Sequence, residues 1–255
     1  MTFSFLTWLL ISLFLTTTTS QFVGRYIHDA GDFRIVYNVN RENRVMLTFT
    51  VPGGQPFRSS ELPLRGGPSR YTVDFRFRPF GVQRWYTPIR RRWPKADIQR
   101  GDLVTLDYEG IESFNATFQG QELRFVIETQ SLIPAVYTYR AFKYGAHLQL
   151  SFFVEAAGEV IIRVGCGRGK TVRESFRLEK HEIPLPSLTT PFVLYSVNPA
   201  ERVERFLRGL EHTCSGFKAD ADDLEAVIFA SGGIVYSRLA GVVAASGPHC
   251  RLGLC

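Results

Sequence analysis

Phe33-Arg-Ile-Val-Tyr-Asn-Val39 and Val45-Met-Leu-Thr-Phe-Thr-Val51 alternate apolar and polar side chains on either side of the polar link Asn40 to Arg44. Successive side chains of a β-strand point to opposite faces, so this stretch predicts a hairpin with one face turned to a core. The pattern repeats outward from it. Tyr71-Thr-Val-Asp-Phe-Arg-Phe77 places Tyr71, Val73, Phe75 and Phe77 on one face and Thr72, Asp74 and Arg76 on the other. Leu103 to Tyr108, Ser113 to Phe118, Leu123 to Glu128, Val136 to Phe142 and Leu148 to Val154 follow, with breaks at Gly110, Gly120, Pro134 and Gly145. Further strands are expected from Glu159 to Val164 and from Thr171 to Leu178. The 21 Phe and 10 Tyr against 2 Met agree, because aromatic residues fit a half-buried pleated surface. Short alternating strands with no helix between them predict a mostly β fold, an antiparallel β-sandwich.

The character changes after His181. Pro184, Pro186 and Pro191 mark an extended connector. Asn198-Pro199-Ala-Glu201 then reads as a helix start, with Asn as cap, Pro at the first helical position and Glu three residues after the cap. Val203, Phe206, Leu207 and Leu210 supply one apolar face, so an amphipathic helix is predicted from Pro199 to about His212. Ala226 to Ala230, Ser231-Gly-Gly233 and Ile234 to Leu239 form a closing hairpin pattern. The organisation expected is a leader over 1–20, a β-sandwich over 21–157 and a β-rich module with the helix and the cysteines over 158–255. Their boundary is placed near Ala156 to Gly158.

Phe5 to Leu15 is an apolar run broken only by Thr7 and Ser12, and it ends in the small polar residues Thr16 to Ser20. It is shorter than the roughly 20 residues that a span requires, so it reads as a signal peptide cleaved before Gln21. The mature chain is then secreted, with no membrane span. Export puts Cys166, Cys214, Cys250 and Cys255 in an oxidising compartment. Three connectivities are open to four cysteines, and Cys166–Cys214 with Cys250–Cys255 is favoured because the last pair closes a small loop. His212 and His249 lie beside Cys214 and Cys250. Neither the CxxC nor the HxxxH spacing of a zinc site occurs, so no metal is expected. Asn115-Ala-Thr117 is a glycosylation sequon.

The net charge of +6 is concentrated. From Arg65 to Arg100 there are ten cations, Arg65, Arg70, Arg76, Arg78, Arg84, Arg90, Arg91, Arg92, Lys95 and Arg100, against Asp74 and Asp97. That segment carries +8 and the remainder −2. Trp85, Tyr86 and Trp93 interleave with the arginines. Guanidinium groups pair bidentately with carboxylates, sulfates and phosphates and stack on aromatic rings. The segment therefore reads either as a solvated loop with its cations folded over Trp rings or as a surface for anionic or sugar ligands. Secretion argues against nucleic acid.

Leu62-Pro-Leu-Arg-Gly-Gly67, Tyr71 to Phe80, the Trp region and Gly101-Asp-Leu-Val-Thr-Leu-Asp107 come in an order that resembles the galectin-like lectins. Ser113-Phe-Asn-Ala-Thr-Phe-Gln-Gly120 with Glu122-Leu-Arg-Phe125, then Leu148-Gln-Leu150, extend the resemblance, which covers about 56–154. It implies a galectin-like or jelly-roll sandwich that binds sugar without cofactors. Asp74-Phe-Arg76-Phe-Arg78 stands where that family has His-x-Asn-x-Arg, so only Arg78 is retained. Trp85 could be the stacking Trp, but Pro88 replaces the Glu expected three residues later. Asp74, Arg76, Arg78 and Trp85 are thus the candidate ligand-binding residues, shifted from neutral galactosides toward acidic glycans or other extracellular polyanions.

Two motifs are set aside. Gly165-Cys-Gly-Arg-Gly-Lys-Thr171 is close to a P-loop, but Val164 occupies the first glycine position and a strand pattern follows where a helix should open. Asp220-Ala-Asp222-Asp223 with Glu225 lacks the glycine and distal Glu of a calcium loop. No HExxH or GxSxG motif appears, and no paired carboxylates point to an enzyme. The function expected is a non-enzymatic, galectin-like binding protein without cofactors. The alternative is a structural or extracellular-matrix interaction protein with no sugar site, for which Asp74 and its arginines pair with one another and Trp85 is buried.

Overall fold

A computed structural model describes residues 22–248 apart from 68, 77, 144, 145, 168, 187, 240 and 241. The leader expected over 1–20 and the expected Cys250–Cys255 pair both lie outside the described residues. The chain is mostly antiparallel β-structure, as its alternation predicts, and the strands form two rings. The first contains β1 (Gly24–Asp29), β2 (Arg34–Val39), β3 (Arg44–Thr50), β4 (Phe57–Arg58), β5 (Leu62–Gly66), β6 (Arg70–Val73), β7 (Thr105–Tyr108), β8 (Ser113–Phe118) and β9 (Gln121–Ile127). Pairing of β1 with β9 and of β2 with β3 closes eight of them, and β4 is added beside β3. The Phe33–Val51 hairpin is present, with Ile35 opposite Phe49 and Tyr37 opposite Leu47.

The second ring runs β10 (Ala135–Lys143), β11 (Ala146–Val154), β12 (Glu159–Cys166), β13 (Lys170–Ile183), β14 (Phe192–Asn198), β15 (Ala226–Ala230), β16 (Ile234–Leu239) and β17 (Val242–Pro248), closed by β10 on β17. In both rings the ring neighbours follow one another in the chain, which is an up-and-down meander. A jelly roll is built instead from Greek-key connections, so the connectivity differs from the expected sandwich. The chain passes from one ring to the other between Ile127 and Ala135, well before the boundary expected at 156–158. The two strands assigned there to the front module, β10 and β11, pair with each other and with β12.

Two helices are present among the described residues. The predicted one runs Ala200–Thr213 and is here α2, with α1 spanning Gln83–Arg92. Val203, Phe206, Leu207 and Leu210 of α2 enter the core of the second ring, and the Phe206 ring meets Phe176 edge-on at 5.6 Å. Asn198 does not cap it. That side chain ends β14 by donating to Glu179 Oε2 and Ser196 Oγ, both at 3.0 Å. Cys214 follows the helix and is disulfide-bonded to Cys166 at the end of β12. The P-loop-like segment is the β12–β13 turn, where Gly165 faces Thr171 and Cys166 faces Lys170. Gly167 and Gly169 take φ of 60° and 80° there, which a residue without Cβ accepts freely.

Each ring has its own filled core. In the first, Tyr37 meets Phe114 and Phe125 edge-on at 5.4 and 5.0 Å, and Phe33, Phe49 and Phe118 pack with Trp93. Phe192, Ile228, Ala230, Ile234 and Tyr236 of the second ring join this aromatic core. Backbone bonds from Gln130 N to Phe229 O (2.9 Å) and from Ser231 N to Glu128 O (3.1 Å) fix the rings together, and Tyr236 donates to Val23 O.

The buried phenols make the fold sensitive to alkali. Burial raises the pKa of Tyr26, Tyr37 and Tyr236, and it pushes Tyr86 up to about 12 with help from the Asp102 carboxylate. A raised folded-state pKa means that the native protein holds its proton where the unfolded chain has lost it. The stabilisation is complete below the ordinary tyrosine pKa and declines above it. Denaturant titrations are expected to give constant stability from neutral pH to about pH 10, then a steady fall through about pH 12. Unchanged stability across that upper window would contradict the burial of these phenols.

Candidate cation-rich surface

The expected site residues lie between β6 and β7. Strand β6 ends at Val73, so the alternation read from Tyr71 to Phe77 stops short, and Asp74, Arg76 and Arg78 do not project together from a strand. The chain turns at Asp74 because its carboxylate organises the turn. Oδ1 accepts the Arg76 amide and Nε, each at 3.0 Å, and Oδ2 accepts Arg76 Nη2 at 3.1 Å and Arg65 Nε from β5. The Arg76 guanidinium and amide, then Arg65, hold the carboxyl well below the usual carboxylate range. Asp74 is 8% exposed and its bonding capacity is occupied by the protein itself. Arg78 stands exposed beyond the turn, apart from that cluster.

Trp85 does not offer a stacking face. It is 1% exposed, on the inner side of α1 with Tyr86 and Ile89, against Tyr37 at 6.2 Å and Phe75 at 5.1 Å. The helix was not expected, yet Val82, Trp85, Tyr86, Ile89 and Trp93 recur at helical spacing. This face secures the whole β6–β7 connection to the ring. Tyr86 donates to Asp102 O at 2.7 Å, and Asp102 Oδ2 accepts the amides of Gln99 (2.8 Å) and Gln119 (2.7 Å). Tyr37 donates to Leu103 O at 2.8 Å.

The ten cations divide into two sets. Arg65 and Arg76 bind Asp74, and Arg70 binds Asp107. Arg90 donates to Ile98 O at 2.9 Å and lies over Tyr86, while Arg92 donates to Gln55 O at 2.9 Å and lies over Phe57. Arg78, Arg84, Arg91, Lys95 and Arg100 are exposed and have no partner among the described residues. Arg84 and Arg91 are seven residues apart, so they share the outer face of α1, about 10 Å from each other along its axis. Arg78 precedes the helix, and Lys95 and Arg100 follow it. Phe80, in the same segment, is 83% exposed.

A cleft of about 640 Å³ between the rings has the opposite character. Glu109, Glu112, Asp222 and Glu225 line it with Arg124 and Arg238. Both arginines are engaged there, Arg124 with Glu109 and Arg238 with Asp222. The Asp220–Asp223 segment serves this turn, where Asp223 Oδ2 accepts the Asp220 amide at 3.0 Å. Asn115 lies in β8 between Asp107 and Arg124, and its amide donates to Glu109 Oε1 at 2.8 Å. No helix among the described residues is long and apolar enough to cross a membrane. The chain matches no protein-family model and no curated protein.

Proposed function

We propose that this is a secreted, non-enzymatic binding protein for acidic glycans, which it holds on the outer face of α1 and the loops flanking it. The observation that carries the reading is the set of five exposed cations without partners among the described residues, Arg78, Arg84, Arg91, Lys95 and Arg100, on one continuous segment. Self-repulsion among like charges costs free energy unless an anion offsets it, and exposed guanidinium groups form short charge-assisted bonds with sulfate and carboxylate oxygens. The reading keeps the ligand class implied by the galectin-like resemblance and moves it off Asp74, Arg76 and Trp85. Cleavage before Gln21 and a glycan on Asn115 belong to the same proposal.

Heparin binding, measured by titration at low and physiological salt, is the test. Wild-type affinity is expected to fall as salt rises, because these charges are exposed and screened. Reversal of Arg84 and Arg91 to Glu is expected to weaken binding at least about tenfold at low salt. Arg208→Glu, on α2 of the other ring, is expected to change little. Salt-insensitive binding, or equal binding by the double variant, would defeat the proposal. The second reading, an extracellular interaction protein without a sugar site, is favoured by the closed Asp74 cluster and the buried Trp85. It predicts no affinity for any glycan.

A further inference from the structure

The cations are one half of this surface, and the aromatic residue beside them is the other. Phe80 is the most exposed large apolar side chain among the described residues and lies between Arg78 and Arg84. Its backbone has φ of 66°, the left-handed region that a residue with a Cβ seldom takes. Hydrogen bonds hold it there: Arg78 N to Phe75 O (3.0 Å), Gly81 N to Arg78 O (3.2 Å) and Gln83 N to Phe80 O (3.0 Å), the last leading into α1. The tight turn fixes where the side chain leaves the surface, and the ring is left in water. Backbone strain of this kind gathers at binding sites and ligand clamps, where the surrounding structure holds it.

We infer that Phe80 is the specificity-determining residue of this surface, stacking its ring on the apolar C–H face of a sugar ring while the flanking cations hold that sugar's anionic groups. The inference rests on the acidic-glycan reading and deepens it, naming the residue by which this surface would tell a sugar ring from charge alone. Phe80 lies three residues before the start of α1, and Arg84 and Arg91 follow along the helix axis. One ring followed by a line of cations suits an extended chain polymer, with one sugar on Phe80 and successive acidic groups along α1. An anionic bilayer would be met better by several apolar side chains within a ring of cations. Ile133 and Ile183, the other exposed large apolar residues, belong to the inter-ring link and the second ring.

The test compares heparin with inorganic polyphosphate, which has the charge without the rings, using the full mature chain and its Phe80→Ala and Phe80→Tyr variants. Phe80→Ala is expected to weaken heparin binding roughly five- to tenfold, with the salt dependence unchanged, and to leave polyphosphate binding as it was. Phe80→Tyr, which keeps the ring, is expected to retain heparin affinity. Thermal unfolding of each variant separates a folding defect from a lost contact. Equal heparin affinity of wild type and Phe80→Ala would overturn the stacking role and leave the polyanion reading intact. Equal losses on heparin and polyphosphate would overturn it too. Failure of the wild type to bind either polymer would overturn both readings. Phosphatidylserine vesicles bound through Phe80 with heparin unaffected would replace the glycan by a membrane surface.

Discussion

Trp85→Ala is expected to lower the unfolding free energy by about 3–5 kcal/mol, among the largest losses available to a single substitution in this chain. The indole is fully enclosed, with Tyr37 and Phe75 edge-on to it. Truncation would leave a void bounded by ring strands on one side and α1 on the other. Those walls cannot close easily, because Tyr86 and Tyr37 are tied to Asp102 O and Leu103 O. The same substitution in a lectin with an exposed stacking Trp would abolish binding at little cost to stability, so the two roles give opposite signatures. Trp85→Phe makes the comparison cleaner. It keeps an aromatic ring in the core, is expected to cost only about 1–3 kcal/mol, and should leave heparin affinity unchanged. A fully stable Trp85→Phe protein that has lost heparin binding would return Trp85 to the ligand site. Denaturant titration beside the binding assay reads both quantities.

The distinction between a buried and an exposed Trp is also where reading by residue pattern meets its limit. Alternation identifies strands locally, because one face of each must be buried, and the Phe33–Val51 hairpin and the α2 stripe Val203, Phe206, Leu207, Leu210 are visible for that reason. Ring membership is a different matter. Val136 to Phe142 alternates as the first-ring strands do, so nothing in it says which neighbour it will pair with, and the crossover after Ile127 lies in a short ordinary link. Helix α1 had a legible signal in Val82, Trp85, Tyr86, Ile89 and Trp93. The signal was obscured by Pro88 and by Arg84, Arg90, Arg91 and Arg92, which look like a solvated loop. The +8 segment was legible as a whole, but its division was not. Which cations are neutralised depends on where Asp74 and Asp107 end up, and that is decided by the turn after Val73 and by the β6–β7 pairing. Arg78 alone of the expected ligand residues stands free, because it lies beyond the reach of the Asp74 cluster.

Removal of the Cys166–Cys214 disulfide by paired substitution to Ala is expected to cost about 4 kcal/mol, the loop-closure entropy of a cross-link spanning 48 residues. The bond ties the end of β12 to the residue that follows α2, so it closes a loop containing β13, β14 and the helix. All of these belong to the second ring. The first ring contains no cysteine and holds its own aromatic core, and Trp85 and Trp93 both lie in that core. With residues 1–20 removed as proposed, Trp8 goes with them, and indole emission from Trp85 and Trp93 reports the first ring alone, whereas circular dichroism reports both. The variant is expected to lose its second ring at lower denaturant, seen as an early change in circular dichroism, while the indole signal keeps its midpoint. It should also retain heparin affinity below the indole transition, because the five free cations are carried by the first ring. A coincident shift of both signals would mean that Phe192, Ile228, Ile234 and Tyr236, packed across the interface, bind the two rings into one cooperative unit. In that case the cation-rich surface on α1 would depend for its integrity on a covalent bond in the other ring.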